Sequence, residues 1–130
     1  METTATFTIN TVGENTGRVY TGKFLVKTVI SRRDYFTADE RRRMILGANA
    51  QAATPTVQGE AYLFGQLYVR ILEAPKFWTD SDNGLDLEDT NVIAEVFELT
   101  MQKEQERSQS LKEEADKAVK TLAKKVSKNE

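Results

Sequence analysis

The 130-residue sequence contains no cysteine and no histidine. Lack of cysteine excludes disulfides, thiolate zinc sites and cysteine nucleophiles. Lack of histidine removes the commonest general base near neutral pH and the commonest transition-metal ligand, leaving carboxylates, Lys and Tyr for proton transfer. No apolar run approaches the length of a membrane span. The opening METTATFTIN has neither the positive nor the apolar stretch of a secretory signal, so a cytosolic chain without a membrane partner is expected. A dominant charge is also missing. Eighteen Lys and Arg stand against 20 Asp and Glu, a formal net charge of -2, so no global basic field draws nucleic acid or an anionic membrane.

The length fits one domain with a modest core. Its first part reads as strand. Phe7 and Ile9 alternate with threonines between Ala5 and Val12, Gly13, Asn15 and Gly17 supply a turn, and Val19 to Ile30 resumes a β-rich run. In that run Phe24, Val26 and Thr28 fall on one face, with Gly22 as a bulge or bend. A lone hairpin is marginal in water, so a helix or partner chain must cover its apolar face.

Helices follow. Ser31 with Asp34 forms a capping-box pattern, and Thr37 with Glu40 offers a second start for the same helix, which Gly47 closes. Gly47 to Thr56 reads as a loop or weak helical extension, and Pro55 can open the next helix. Ala61, Phe64, Tyr68, Ile71 and Leu72 then lie at helical spacing, predicting an amphipathic helix that ends before Pro75. Gly59 and Gly65 inside it read as places where another backbone comes close. A third helix begins near Asp89, with Val92, Ile93, Val96, Phe97, Thr100 and Met101 as its stripe. It should pack on the second.

Beyond Met101 large apolar residues thin out to Leu111, Ala115, Ala118, Leu122 and Val126 among Lys, Glu and Gln. The expected architecture is α+β: an N-terminal β-hairpin followed by about three helices, the last extended as a charged helical tail. Residues 1–101 form the compact domain, and 102–130 a charged, helical or partly disordered tail.

The motifs that carry chemistry fail one by one. Asp80, Ser81, Asp82, Asn83, Gly84, Leu85 and Asp86 resemble a calcium loop. Counted from Asp80, however, the glycine falls fifth instead of sixth, and Asn91 holds the twelfth place where glutamate belongs. A polar turn that caps the third helix through Asp86 or Asp89 is the simpler reading. No spacing forces two of Asp80, Asp82, Asp86, Glu88 and Asp89 to converge as an acid–base pair or magnesium site. The glycines of TVGENTG miss the phosphate-loop and dinucleotide fingerprints. Arg32, Arg33, Arg41, Arg42 and Arg43, with Tyr35 and Phe36, form a basic and aromatic group, but interleaved Asp34, Asp39 and Glu40 argue against nucleic-acid binding. At least one arginine should pair inside the domain. No catalytic, cofactor-binding or metal residue is assigned, and no cofactor is expected.

The threonine-rich hairpin, the arginine-rich segment closing on Arg42-Arg43-Met44-Ile45-Leu46-Gly47, the run Leu67-Tyr68-Val69-Arg70-Ile71-Leu72-Glu73-Ala74-Pro75-Lys76-Phe77-Trp78 and Gly84-Leu85-Asp86-Leu87-Glu88-Asp89 carry a resemblance. Together, over Thr8 to Met101, they resemble small structural-module proteins of tailed bacteriophages, often grouped with tail assembly chaperones. The resemblance implies a non-enzymatic factor that binds the tape-measure protein, tail tube subunits or both. It acts in the host cytoplasm during assembly. The alternative is a virion component, for head decoration, head completion or the neck, that self-associates. Such a component adds a strand along the edge from Val19 to Val29, or a helical arm, to its neighbours. Both readings imply a homo-oligomer. Candidate partner-binding residues are Phe64, Tyr68, Ile71, Trp78, Val96 and Phe97, with Arg41 and Arg42. The apolar members are equally the obvious core of so small a domain, and Phe77 and Trp78 read as a core plug beneath a loop.

Overall fold

The computed structural model describes residues 3–128. Strands β1 (Thr4–Val12) and β2 (Val19–Lys27) pair antiparallel along their full length, with Phe7 opposite Phe24 and Val12 opposite Val19. The alternation seen in the sequence sorts the two faces. Phe7, Ile9, Tyr20, Phe24, Val26 and Thr28 are buried on one face, while Thr6, Thr8, Asn10, Thr21 and Lys23 are exposed on the other.

Helix α1 (Arg32–Leu46) starts at the first of its two possible positions. Ser31 Oγ accepts from the Asp34 amide and the Asp34 carboxylate accepts from the Ser31 amide, so both halves of the capping box are made. Gly47 closes the helix by donating to the Arg43 carbonyl. A short 3-10 turn, Ala50–Ala52, leads to α2 (Pro55–Arg70), which has Pro55 in its first turn and Thr54 as its cap. Of the two glycines inside α2, only Gly65 serves a close approach. A Cβ there would lie 2.4 Å from the Ala38 carbonyl oxygen, whereas Gly59 faces open space. Gly65 is therefore what lets α1 seat against α2.

Helix α2 ends earlier than its apolar spacing predicts. Ile71 and Leu72 leave it as strand β3 (Ile71–Glu73), which pairs antiparallel with β2 at Leu25 and Val26 and makes the hairpin a three-stranded sheet in the order β1-β2-β3. A β-branched residue fits both periods, and the unpaired side of β2 decides between them. Pro75 thus stops no helix directly and instead caps the one-turn α3 (Lys76–Thr79). Helix α4 (Thr90–Lys128) then runs unbroken for 39 residues. Among the described residues the α-helices number four, counting the single turn of α3. No helix among the described residues is long and apolar enough to cross a membrane.

The core lies between the sheet's inner face and the helices: Phe7, Ile9, Tyr20, Phe24 and Val26 meet Leu67 of α2, Trp78 of α3, and Val92 and Val96 of α4. Phe7 stacks on Phe24 at 5.1 Å, and Trp78 meets Phe24 edge-on at 5.7 Å. The compact part does not stop at Met101, because Arg70, buried at the end of α2, donates from Nε to Glu104 at 3.0 Å. Thr28 Oγ1 is a buried hydroxyl with no partner. Thr28→Val should therefore raise stability by about 1 kcal/mol, and Gly65→Ala should lower it by roughly 1–3 kcal/mol, both read from urea denaturation midpoints.

Candidate functional site

The most concentrated polar arrangement is built around Asp89, immediately before α4. Its carboxylate is wholly buried and accepts from the Asn15 amide at 2.7 Å, the Thr16 amide at 2.9 Å, Thr16 Oγ1 at 2.6 Å and the Tyr20 hydroxyl at 2.6 Å. Gly13 is needed for this approach, since a Cβ there would sit 2.2 Å from the carboxyl carbon. Asn91 adds a second tie: its Oδ1 accepts from the Glu14 amide, and its Nδ2 donates to the Val12 carbonyl. Thr11 Oγ1 also donates to Glu95 one turn further along α4.

Burial by itself would raise the Asp89 pKa, but the hydrogen bonds from Thr16, Tyr20 and Asn15 overcome it and hold the group at about 2. The same carboxylate, with burial, raises the pKa of Tyr20. A carboxylate held ionised and saturated with donors is a poor proton acceptor. This is a clasp that locks the hairpin turn to the start of α4, and the sequence expectation that Asp89 is a helix cap misses that longer reach. The one sequence signal for it was an acid beside a helix start.

Other sequence candidates disperse. Asp82 pairs with Arg41 at 3.3 Å, while Asp80, Asp86 and Glu88 are exposed. Among the described residues no three metal-ligating side chains are grouped to hold an ion. Asp39 accepts from Arg42 at 3.0 Å and Arg43 at 3.1 Å, so these two arginines of the basic cluster share one carboxylate within α1. Arg41 also lies 4.8 Å from the Tyr68 ring centre. Lys27 and Asp34 pair with each other at 3.3 Å in the lining of a surface hollow of about 520 Å³. The pKa of Asp34 is lowered chiefly by the Ser31 amide.

The partner-binding candidates do not form one face. Trp78 and Val96 are buried in the core, a correction to their reading as contact residues, and Ile71 and Phe97 pack half-buried against it. Phe64 is half-buried as well, whereas Tyr68 is exposed beside Arg41. Arg42 is held by Asp39 and donates to Gln58 at 3.2 Å.

Among the open surfaces of the described residues, three lie on strand edge, hairpin tip and helix arm. The first is the outer edge of β1, not that of β2, which β1 covers on one side and β3 meets on the other. Gly13 donates to Arg18 and Thr28 to Thr3, so odd-numbered residues of β1 bond inward, and Thr4, Thr6, Thr8 and Asn10 turn their backbone groups outward. No residue of β1 is charged. The second is the cross-strand pair Val12 and Val19 at the hairpin tip, 59% and 65% exposed. The third is the far part of α4, where Val119, Leu122 and Val126 are exposed.

These features define a small α+β module with a structural carboxylate and open strand and helix surfaces. No family model matches the chain, and neither a curated protein nor a solved structure matches it.

Asp89→Asn should lower the thermal midpoint at pH 7, because the amide presents a donor to groups that already donate. The native carboxyl titrates near 2 against 3.8 unfolded, so its stabilisation is full well above 3.8 and is lost as pH falls through 3.8 towards about 2. Acid unfolding followed by circular dichroism should show a shallower loss across that window in the variant. At the alkaline end, the raised Tyr20 pKa contributes stability that declines as pH rises above 10.

Proposed function

We propose that the protein is a non-enzymatic assembly factor that acts through contacts with other proteins. On the resemblance carried by its hairpin and its Leu67 to Asp89 region, it serves tailed-bacteriophage assembly as a tail chaperone. The observation that supports this reading is the free length of α4. Leu111, Ala115, Ala118, Leu122 and Val126 run along it in steps of three and four, and the arm is exposed from Lys112 through Ser127. Such a stripe suits the side of another helix, the chemistry expected of a long helical tape-measure protein or of a docking segment on tube subunits. The arm supplies the client surface that Trp78 and Val96, committed to the core, do not.

A second reading, a virion component of the head or neck, is favoured by the uncharged open edge of β1, which lacks the lysines and prolines that commonly guard an edge strand. The two differ in location: host cytoplasm during assembly for the chaperone, the particle for the component. Co-expression with the tape-measure protein should yield a complex that Leu122→Glu disrupts, with the chain absent from purified particles by mass spectrometry. Abundant recovery from particles would replace the chaperone with the component. Failure to bind any tape-measure, tube, head or neck subunit would sink the assembly reading altogether.

A further inference from the structure

We infer that copies of this chain associate head to tail, the basic end of α4 of one copy seating on the hairpin tip of the next. Charge is distributed unevenly along the molecule. Five of the 18 Lys and Arg follow residue 116, against one of the 20 Asp and Glu, so this segment carries +4 and the remainder -6. Residues 117–127 hold four lysines and no acid.

Their arrangement on the helix is sorted. Val119, Leu122 and Val126, each at least 60% exposed, share one face. Lys120 and Lys125 flank that face on either side, long enough to lie along an apolar surface and keep their ammonium groups at its rim. Lys117 and Lys124 are exposed on the far side and add to the field.

The complementary surface is at the other end of the molecule. Val12 and Val19 face solvent as a cross-strand pair at the tip. Glu14 is exposed two residues beyond Val12, and the exposed Glu88 is brought alongside because Asn15 Nδ2 donates to the Glu88 carbonyl and the clasp at Asp89 holds the turn. Arg18 is the one base in the turn between the strands. The tip is thus a small apolar pair with a predominantly acidic rim, matched in kind to the apolar face and lysine flanks of the arm.

Rigidity prevents a chain from satisfying this match within itself. Helix α4 starts at the tip and is unbroken, so Lys117 lies about 40 Å along the helix from Thr90. The arm cannot fold back on its own head. It can meet only the head of another copy, and because donor and acceptor surfaces differ, the contact is heterologous and extends beyond a dimer unless it closes into a ring.

This inference rests on the assembly reading only in kind, and sedimentation of the pure full chain tests it separately. Velocity runs over a range of protein concentrations at about 50 mM salt should show species larger than a dimer that dissociate at about 500 mM. The double variant Lys120→Glu/Lys125→Glu should weaken association about tenfold or more, as should Glu14→Lys/Glu88→Lys. These side chains are exposed, so circular dichroism should stay unchanged. Mixing the two charge-reversed variants should restore association, since each arm then meets an opposite head. A monomer at every concentration at low salt, or association indifferent to both reversals, would overturn the contact. Client binding and particle content, on which the proposed function stands or falls, are read in separate experiments.

Discussion

The tie between the hairpin turn and the start of α4 is the constraint on which the rest of the molecule depends. Asp89 joins segments some 70 positions apart in the chain through two backbone amides and two hydroxyls. Tyr20 takes part both in that tie and in the core, its ring 5.1 Å from Phe77. Fixing the turn therefore also fixes how Val92 and Val96 meet the sheet. The buried charge is tolerated because its oxygens are saturated with donors, and its removal leaves those donors facing one another without an acceptor.

Once α4 is anchored there, its direction is set. It crosses the sheet's inner face, receives Arg70 through Glu104 and leaves the body as an unbroken helical arm. The same tie brings Glu14 and Glu88 together at the tip, so one interaction organises both the core and the acidic end of the molecule. Cohesion and charge separation have a common origin in this fold.

Much of the architecture was legible in local pattern. The alternation around Phe7 and Ile9, the Ser31–Asp34 box and the stripe from Val92 to Met101 each rest on a period or cap that a few neighbouring residues encode. Gly65 was also readable as a close approach, although the identical argument failed at Gly59, where no chain arrives. The candidate interface fared differently. Phe64, Tyr68, Ile71, Val96 and Phe97 look alike as apolar residues at helical spacing, and spacing carries no information about what covers them. Burial of Trp78 and Val96 and exposure of Tyr68 depend on neighbours distant in sequence.

By itself, then, the sequence determined the secondary elements that local periodicity and capping can specify, the absence of thiol and imidazole chemistry, and the basic character of the last turns of α4. Tertiary structure decided that Ile71–Glu73 is a strand, because only the open side of β2 offers it partners. It decided that the free edge belongs to β1, and that Asp89, standing at the cap position before α4, spends its carboxylate on the hairpin turn. Each of those outcomes is a pairing between segments far apart in the chain. A carboxylate, an amide or a strand edge has the same local chemistry whichever distant group satisfies it, so only the folded arrangement selects the partner.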